Sequence, residues 1–345
     1  MVSHPAASIR DVAELAGVAL GTVSNVLNRP ERVAEATRQR VLAAIEELGF
    51  VRNDAARQLR AGKSRTLGLV VIDVRNPFFT DLGRGAEERA AEAGLSVLLG
   101  NSDNLPVREA AYTDLFEEQR VQGLLISPIG DQYARLDRLR DRGTPTVLVD
   151  RRGDGLSFSS VSVDDIAGGY LAVSHLISQG CRRIGFVGGP LSVLQVSERL
   201  QGAQQAVAEH AGVEIEVFAV SDLTVPNGRK MGAEIVERDA ETRPDGVFAA
   251  NDMVAVGLLQ SFTMLDGISL PGDIALVGYD DIDFASATVV PLSSVRQPST
   301  LIGRTAVDLL LREVAAQDAG EDFVHEQVVF QPELVVRDSS NRSGR

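Results

Sequence analysis

The chain has 345 residues, 44% hydrophobic and 24% charged with 13 prolines, enough to bury more than one core and unlike a disordered or fibrous polymer. No apolar run reaches the ~18 residues of a membrane span, and the first thirty positions carry Arg10, Asp11, Glu14 and Arg29 without an apolar stretch, so no membrane partner and no secretory signal are expected, and the protein is placed in the cytoplasm. The net charge of −14 conceals an asymmetry: residues 1–65 hold ten basic and seven acidic side chains (+3), the remainder 24 and 41 (−17), a small basic head on an acidic body.

Ser8 and Asp11 have the spacing of a capping box, and Ile9, Val12, Ala13, Leu15 and Ala16 form an apolar stripe that stops at Gly17, predicting a helix over 9–16. After a short turn, 20–28 places Val23, Val26 and Leu27 on one face and Gly21, Thr22, Ser24, Asn25 and Asn28 on the other. A third helix, 35–48, is expected to bury Val41, Leu42, Ile45 and Leu48 and to end at Gly49. Three such helices fit an all-α helix-turn-helix head over 1–50. By periodicity alone they also fit a plain three-helix domain. The linker 51–65, rich in alanine and arginine, suits a short, marginal helix.

From Thr66 the grammar changes to apolar runs alternating with helix-length segments: 67–72, 95–100, 123–129 and 145–150, then again 183–189, 213–220, 246–251 and 274–280. Continuous Val/Ile/Leu runs mark strands buried on both faces of a parallel sheet, so the body, 66–340, is read as α/β with two doubly wound parallel-sheet lobes. Lobe 1 is assigned 66–163 plus 292–323, lobe 2 164–291 plus 324–340, and 341–345 is a tail. In open parallel sheets ligands bind beyond the carboxyl ends of strands, so two lobes predict a small-molecule cleft between them.

The run SIRDVAELAGVALGTVSNVLNRPERVAEATRQRVLAAIEELGF, followed in order by RNPFF (75–79), VQGLLISP (121–128), GCRRIGFVGGP (180–190), ERLQG (198–202), FAAND (248–252), VGYDD (277–281) and LSSVRQP (292–298), resembles the lactose-repressor (LacI/GalR) family of bacterial transcription regulators over about 8–338. The resemblance implies two doubly wound parallel-sheet lobes of the periplasmic-binding-protein type and a sequence-specific regulator, expected to repress, that binds pseudo-palindromic double-stranded operator DNA as a homodimer. Its second helix would enter the major groove with Leu20, Gly21 and Asn25 reading bases and Thr22 and Ser24 on phosphate or bases, with Asn28 on the same face. Asn25 stands where arginine is frequent. Ala19 and Ala34 replace the serines that usually cap the second and third helices, at about 1 kcal/mol each. The linker would fold on the operator and wedge Leu59 into the central minor-groove step with Ala56 beside it. From the residues alone, Leu59 also reads as a core-facing leucine.

The resemblance further assigns effector binding to Phe78, Phe79, Asp150, Arg199, Asn251, Asp252 and Asp280. Carboxylates and a guanidinium suit sugar hydroxyls, and an aromatic face suits the ring's C–H surface. The effector is therefore expected to be a sugar or sugar derivative; Leu223 stands where many relatives place a stacking tryptophan or phenylalanine, and the absence of that ring makes a purine or another metabolite the alternative. An enzyme is not expected. No G-x-G-x-x-G follows the first strand, no Cys/His or Ser/His pairing is spaced for nucleophilic work, and Asp164-Asp165 and Asp280-Asp281 suit solvated or helix-capping roles better than acid/base ones. Cys181 with His4, His175, His210 and His325 makes no zinc-type spacing, so no metal or cofactor is expected. A cytosolic small-molecule binder without specific DNA affinity is the remaining reading.

Overall fold

The structure, a computed structural model, describes residues 7–50, 64–130, 133–153, 155–264 and 268–342. It divides into two compact units, 1–63 and 64–345. In the first, α1 (Ile9–Leu15), α2 (Leu20–Asn28) and α3 (Glu35–Glu47) enclose a core of Val12, Ala13, Ala16, Val23, Val26, Val41 and Ala44. The capping box forms, with the Ser8 N–H donating to Asp11 Oδ2 at 2.7 Å and the Asp11 N–H to Ser8 Oγ at 3.4 Å. Gly17, at φ +63°, makes the turn into α2, a backbone conformation that favours glycine. Two expected core residues, Leu15 and Leu42, are instead exposed, because the buried stripe is narrower than the apolar pattern and on α3 centres on Val41 and Ala44.

The second unit holds two six-stranded sheets. The first lobe contains β1 (Thr66–Val71), α4 (Pro77–Glu92), β2 (Ser96–Asn101), α5 (Pro106–Glu118), β3 (Gly123–Ile126), α6 (Ala134–Asp141), β4 (Thr146–Val149) and β5 (Ser159–Val163). The second contains α7 (Asp165–Ser178), β6 (Arg183–Gly188), α8 (Leu194–Ala208), β7 (Glu214–Ala219), α9 (Val225–Val236), β8 (Gly246–Ala249), α10 (Asp252–Met264), β9 (Ala275–Asp280) and β10 (Ser293–Arg296). The chain then returns through α11 (Ser299–Ala319) and β11 (Gln327–Phe330) and finishes in β12 (Glu333–Val335). Strand orders are β11-β5-β4-β3-β1-β2 and β12-β10-β9-β8-β6-β7, parallel throughout except for β12 against β10.

These sheets move the expected lobe boundaries. Residues 293–296 pair with β9 of the second lobe and 327–330 with β5 of the first, so the two C-terminal strands belong to the opposite lobes from those assigned by sequence. The chain therefore crosses between lobes three times, after β5, after β10 and after β11. Each sheet is covered on both faces: α4 and α11 pack on one side of the first, while Phe116, Leu136 and Leu139 of α5 and α6 fill the other. The segment given as a tail from 341 is anchored at its start, where Arg342 donates to the carbonyls of Pro271 and Asp245, both at 2.8 Å.

Candidate functional site

The carboxyl ends of both sheets open onto one cavity of about 390 Å³, within the ~300–1,000 Å³ of small-molecule sites. Local sequence explains how its side chains are presented. Asp150 follows β4 at φ +55° and Asp280 ends β9 at φ +108°; both are non-glycine residues in the sparsely populated left-handed half of backbone space, which the surrounding strands must hold in place. Asn76 caps α4, accepting the Phe78 N–H at 3.1 Å with Pro77 as the first helical residue, and this cap sets Phe78 and Phe79 at the cavity wall. Their rings meet edge to face at 5.0 Å, and both are almost wholly buried, so each belongs to the first-lobe core and to the cavity lining.

Arg199, on α8, organises the floor. Its Nε donates to Asp165 Oδ1 at 2.8 Å and its Nη1 to the Ala250 carbonyl at 2.7 Å; Asp280 Oδ1 stands 3.8 Å away and the guanidinium lies 3.7 Å above the Tyr279 ring. Burial opposes its charge, but the surrounding Asp165, Tyr279, Asp280 and Asp150 reverse that penalty and hold it protonated. Burial pushes the Asp280 carboxyl up to about 6 despite Arg199, Asn76 and Gln297. Burial also raises Asp150 well above the usual carboxylate range, and the charges of Asp165 and Asp280 raise it further.

Two side-chain amides join the lobes across the cavity. Asn76 Nδ2 of the first lobe donates to Asp280 Oδ2 at 2.9 Å, and Gln195 Nε2 of the second donates to Asp150 Oδ2 at 2.9 Å. Sequence reasoning missed both amides. Asn76 sits inside the RNPFF run, where its Asn-Pro helix start was the available signal; Gln195 has no local signal beyond being the second residue of a helix that follows a strand.

Of the residues expected at the effector site, Phe78, Phe79, Asp150, Arg199, Asn251 and Asp280 line the cavity. Asn251 also caps α10, accepting the Val254 N–H at 2.9 Å. Asp252 does not belong to the lining. It is fully buried behind it, accepting the Ile282 N–H at 2.9 Å and the Ser294 hydroxyl at 2.7 Å, and so ties the end of β9 to β10. Leu223 is in the wall at the position noted for a missing aromatic ring.

In the head, Leu20, Gly21, Asn25 and Asn28 form an exposed face of α2, with Thr22 and Ser24 half-buried at its edges. Asn28 Nδ2 donates back to the Ser24 carbonyl at 2.8 Å. Ala56 and Leu59 lie outside the described residues. Among the described residues no group of three or more His, Cys, Asp or Glu could hold a metal ion, and no helix is long and apolar enough to cross a membrane.

A helix-turn-helix head carried by a body with a polar interlobe cavity defines a ligand-responsive DNA-binding regulator. Residues 8–53 match the family described as bacterial regulatory proteins, lacI family, and 173–340 match the periplasmic binding protein-like domain. The HTH-type transcriptional repressor PurR of Photobacterium profundum is 34% identical over 96% of this chain and 98% of its own length. Among solved structures, the transcriptional regulator CelR–cellobiose complex is 32% identical, with a TM-score of 0.69 over 96% of this chain and 99% of its own. The Lac repressor dimer bound to operator and the anti-inducer ONPF is 27% identical, with a TM-score of 0.82 over 97% of this chain and 99% of its own. The chain belongs to the lacI family and is a DNA-binding transcriptional repressor.

Proposed function

We propose that the protein binds a pseudo-palindromic operator as a homodimer and that a small molecule, a sugar or sugar derivative, controls that binding from the interlobe cavity. Leu20, Gly21, Thr22, Ser24, Asn25 and Asn28 face the DNA, with Asn25 suited to bidentate pairing with adenine. Ala56 and Leu59 of the linker engage the centre of the operator, and Phe78, Phe79, Asp150, Arg199, Asn251 and Asp280 hold the effector. The observation that carries this reading is the pair of cross-lobe bonds, Asn76 to Asp280 and Gln195 to Asp150. A ligand that contacts either carboxylate competes with or reinforces these bonds, so it has different affinities for two lobe arrangements. That difference is what a switch requires. The cellobiose complex of a relative supports a sugar; the PurR relative makes nucleobases the second class to test.

The test is fluorescence-anisotropy titration of the full-length protein at fixed salt against pseudo-palindromes upstream of its own and neighbouring genes, with sugars and nucleobases added. Nanomolar, sequence-selective binding altered by one compound is the expected result. Weak, salt-sensitive binding indifferent to sequence would overturn it.

A further inference from the structure

The ionic character of the cavity goes one step beyond the sugar reading, on which it rests. The described lining holds five carboxylates, Asp73, Asp103, Asp150, Asp222 and Asp280, against two guanidiniums, Arg75 and Arg199. Both guanidiniums already face carboxylates. Arg75 lies 2.9 Å from Asp73 Oδ2 and 2.9 Å from Asp103 Oδ1, while Arg199 is held by Asp165 and faces Asp280. Two of the helix starts that open onto the cavity are also engaged, since Asn76 and Thr224 cap α4 and α9 with their own side chains. The start of α8 lacks a side-chain cap, and the side chain of its second residue, Gln195, bonds Asp150.

One atom points to what the cavity does accept. Asp150 is 4% exposed and lines the cavity; its Oδ2 takes the Gln195 amide, but its Oδ1 has no hydrogen-bond partner among the described residues. A buried polar oxygen without a hydrogen-bond partner is costly, and a ligand hydroxyl removes that cost whether it donates or accepts. We infer that the effector carries no negative charge and hydrogen-bonds Asp150 Oδ1 through a hydroxyl group, so that phosphorylated sugars, sugar acids and other anions are rejected. The apolar part of the wall, with Phe78, Phe79, Val193, Val196 and Leu223, leaves room for an uncharged ring face beside that hydroxyl.

The charge can be read without knowing the effector. The sequence contains no tryptophan, so Leu223→Trp in the full-length protein places a single reporter in the wall, with Leu105→Trp as the second variant should the first perturb folding. Quenching by caesium, iodide and acrylamide at constant ionic strength is compared with that of N-acetyltryptophanamide. Normalised to acrylamide and to that reference, caesium is expected to outdo iodide, and Asp103→Asn combined with Asp222→Asn should narrow the difference. Iodide quenching equal to or better than caesium would overturn the inference.

A calorimetric panel of neutral pentoses, hexoses and disaccharides beside their phosphate esters and uronic acids provides the second arm. Any neutral sugar that binds should exceed its phosphate ester by at least ~100-fold and lose affinity in Asp150→Leu, which keeps the volume and removes the hydrogen bond. A phosphate ester or uronate binding more tightly than its neutral parent would also sink the inference. If a neutral compound fills the cavity but leaves operator affinity unchanged, the regulatory reading fails while the charge preference stands.

Discussion

Arg199 is stable in the interior only as part of a set: Asp165, Asp280, the Ala250 carbonyl and the Tyr279 face each offset part of its desolvation, and removing any one leaves charge uncompensated. Glu313 lacks such company. It is 3% exposed on α11, its Oε2 has no hydrogen-bond partner among the described residues, and the nearest basic atom, His325 Nδ1, is 4.0 Å away. Burial pushes its carboxyl up to about 7, with Arg140 pulling the other way, and burial lowers His325, leaving that ring uncharged at neutrality. Because the folded-state pKa lies above the unfolded one, the unfolded chain binds fewer protons between about 4.5 and 7, and stability falls as pH rises through that window. Replacing Glu313 by Gln, which cannot ionise, is expected to stabilise the body by on the order of 2 kcal/mol at pH 8 once solvent screening is allowed for, and to have almost no effect at pH 5. Denaturant titrations at both pH values check this; an equal gain at both would point to packing rather than charge.

At the scale of elements, α2 and α3 begin at Ala19 and Ala34 with extended backbone and no side-chain cap, in contrast to the complete capping box of α1. Ala19→Ser should therefore stabilise α2 by about 1 kcal/mol, seen as roughly fivefold slower hydrogen exchange of its amides off DNA. Unchanged exchange would show that fraying at this end does not limit opening. In the body, α7 and α8 approach so closely that a Cβ at Gly169 would collide with the Arg199 carbonyl and one at Gly202 with the Ile166 carbonyl, a reciprocal contact that fixes Arg199 over the cavity floor. Elements with continuous aliphatic runs were legible in the sequence to within a few residues at most boundaries. β5 and β10 were not, because SSVSV and SSVR fill buried positions with serine and carry no run of large apolar side chains. Asp150 and Asp280 were legible through the family resemblance, and their places just beyond parallel strands agree with it, since such positions face the cleft. Asp252 failed that rule because the first residue of α10 turns inward to bind Ile282 and Ser294, a partnership between positions far apart in the chain.

At the scale of the whole molecule, two heads reaching two half-sites require a dimeric body, and Leu59, which lies outside the described residues, is proposed to sit where the two linkers meet the operator centre. Leu59→Ala is expected to weaken specific operator binding by at least ~10-fold while leaving non-specific binding and its salt dependence nearly unchanged, since a wedge reads deformability and carries no charge. Anisotropy on operator and on scrambled DNA separates these cases, and an equal loss on both would remove Leu59 from the interface. The three crossings between lobes also bear on how the chain is made. The first lobe begins at Thr66 but receives α11 only after Ser299 and its edge strand only at Gln327–Phe330. During synthesis the head can fold early, and the second lobe can assemble β6 to β10, while the first waits with α4 alone on the face of its sheet that α11 shares. The earliest segment of the body is thus completed only after most of the second lobe, and a message truncated after β10 would yield a second lobe lacking its antiparallel edge strand and the segment that follows it, joined to a first lobe with an open core.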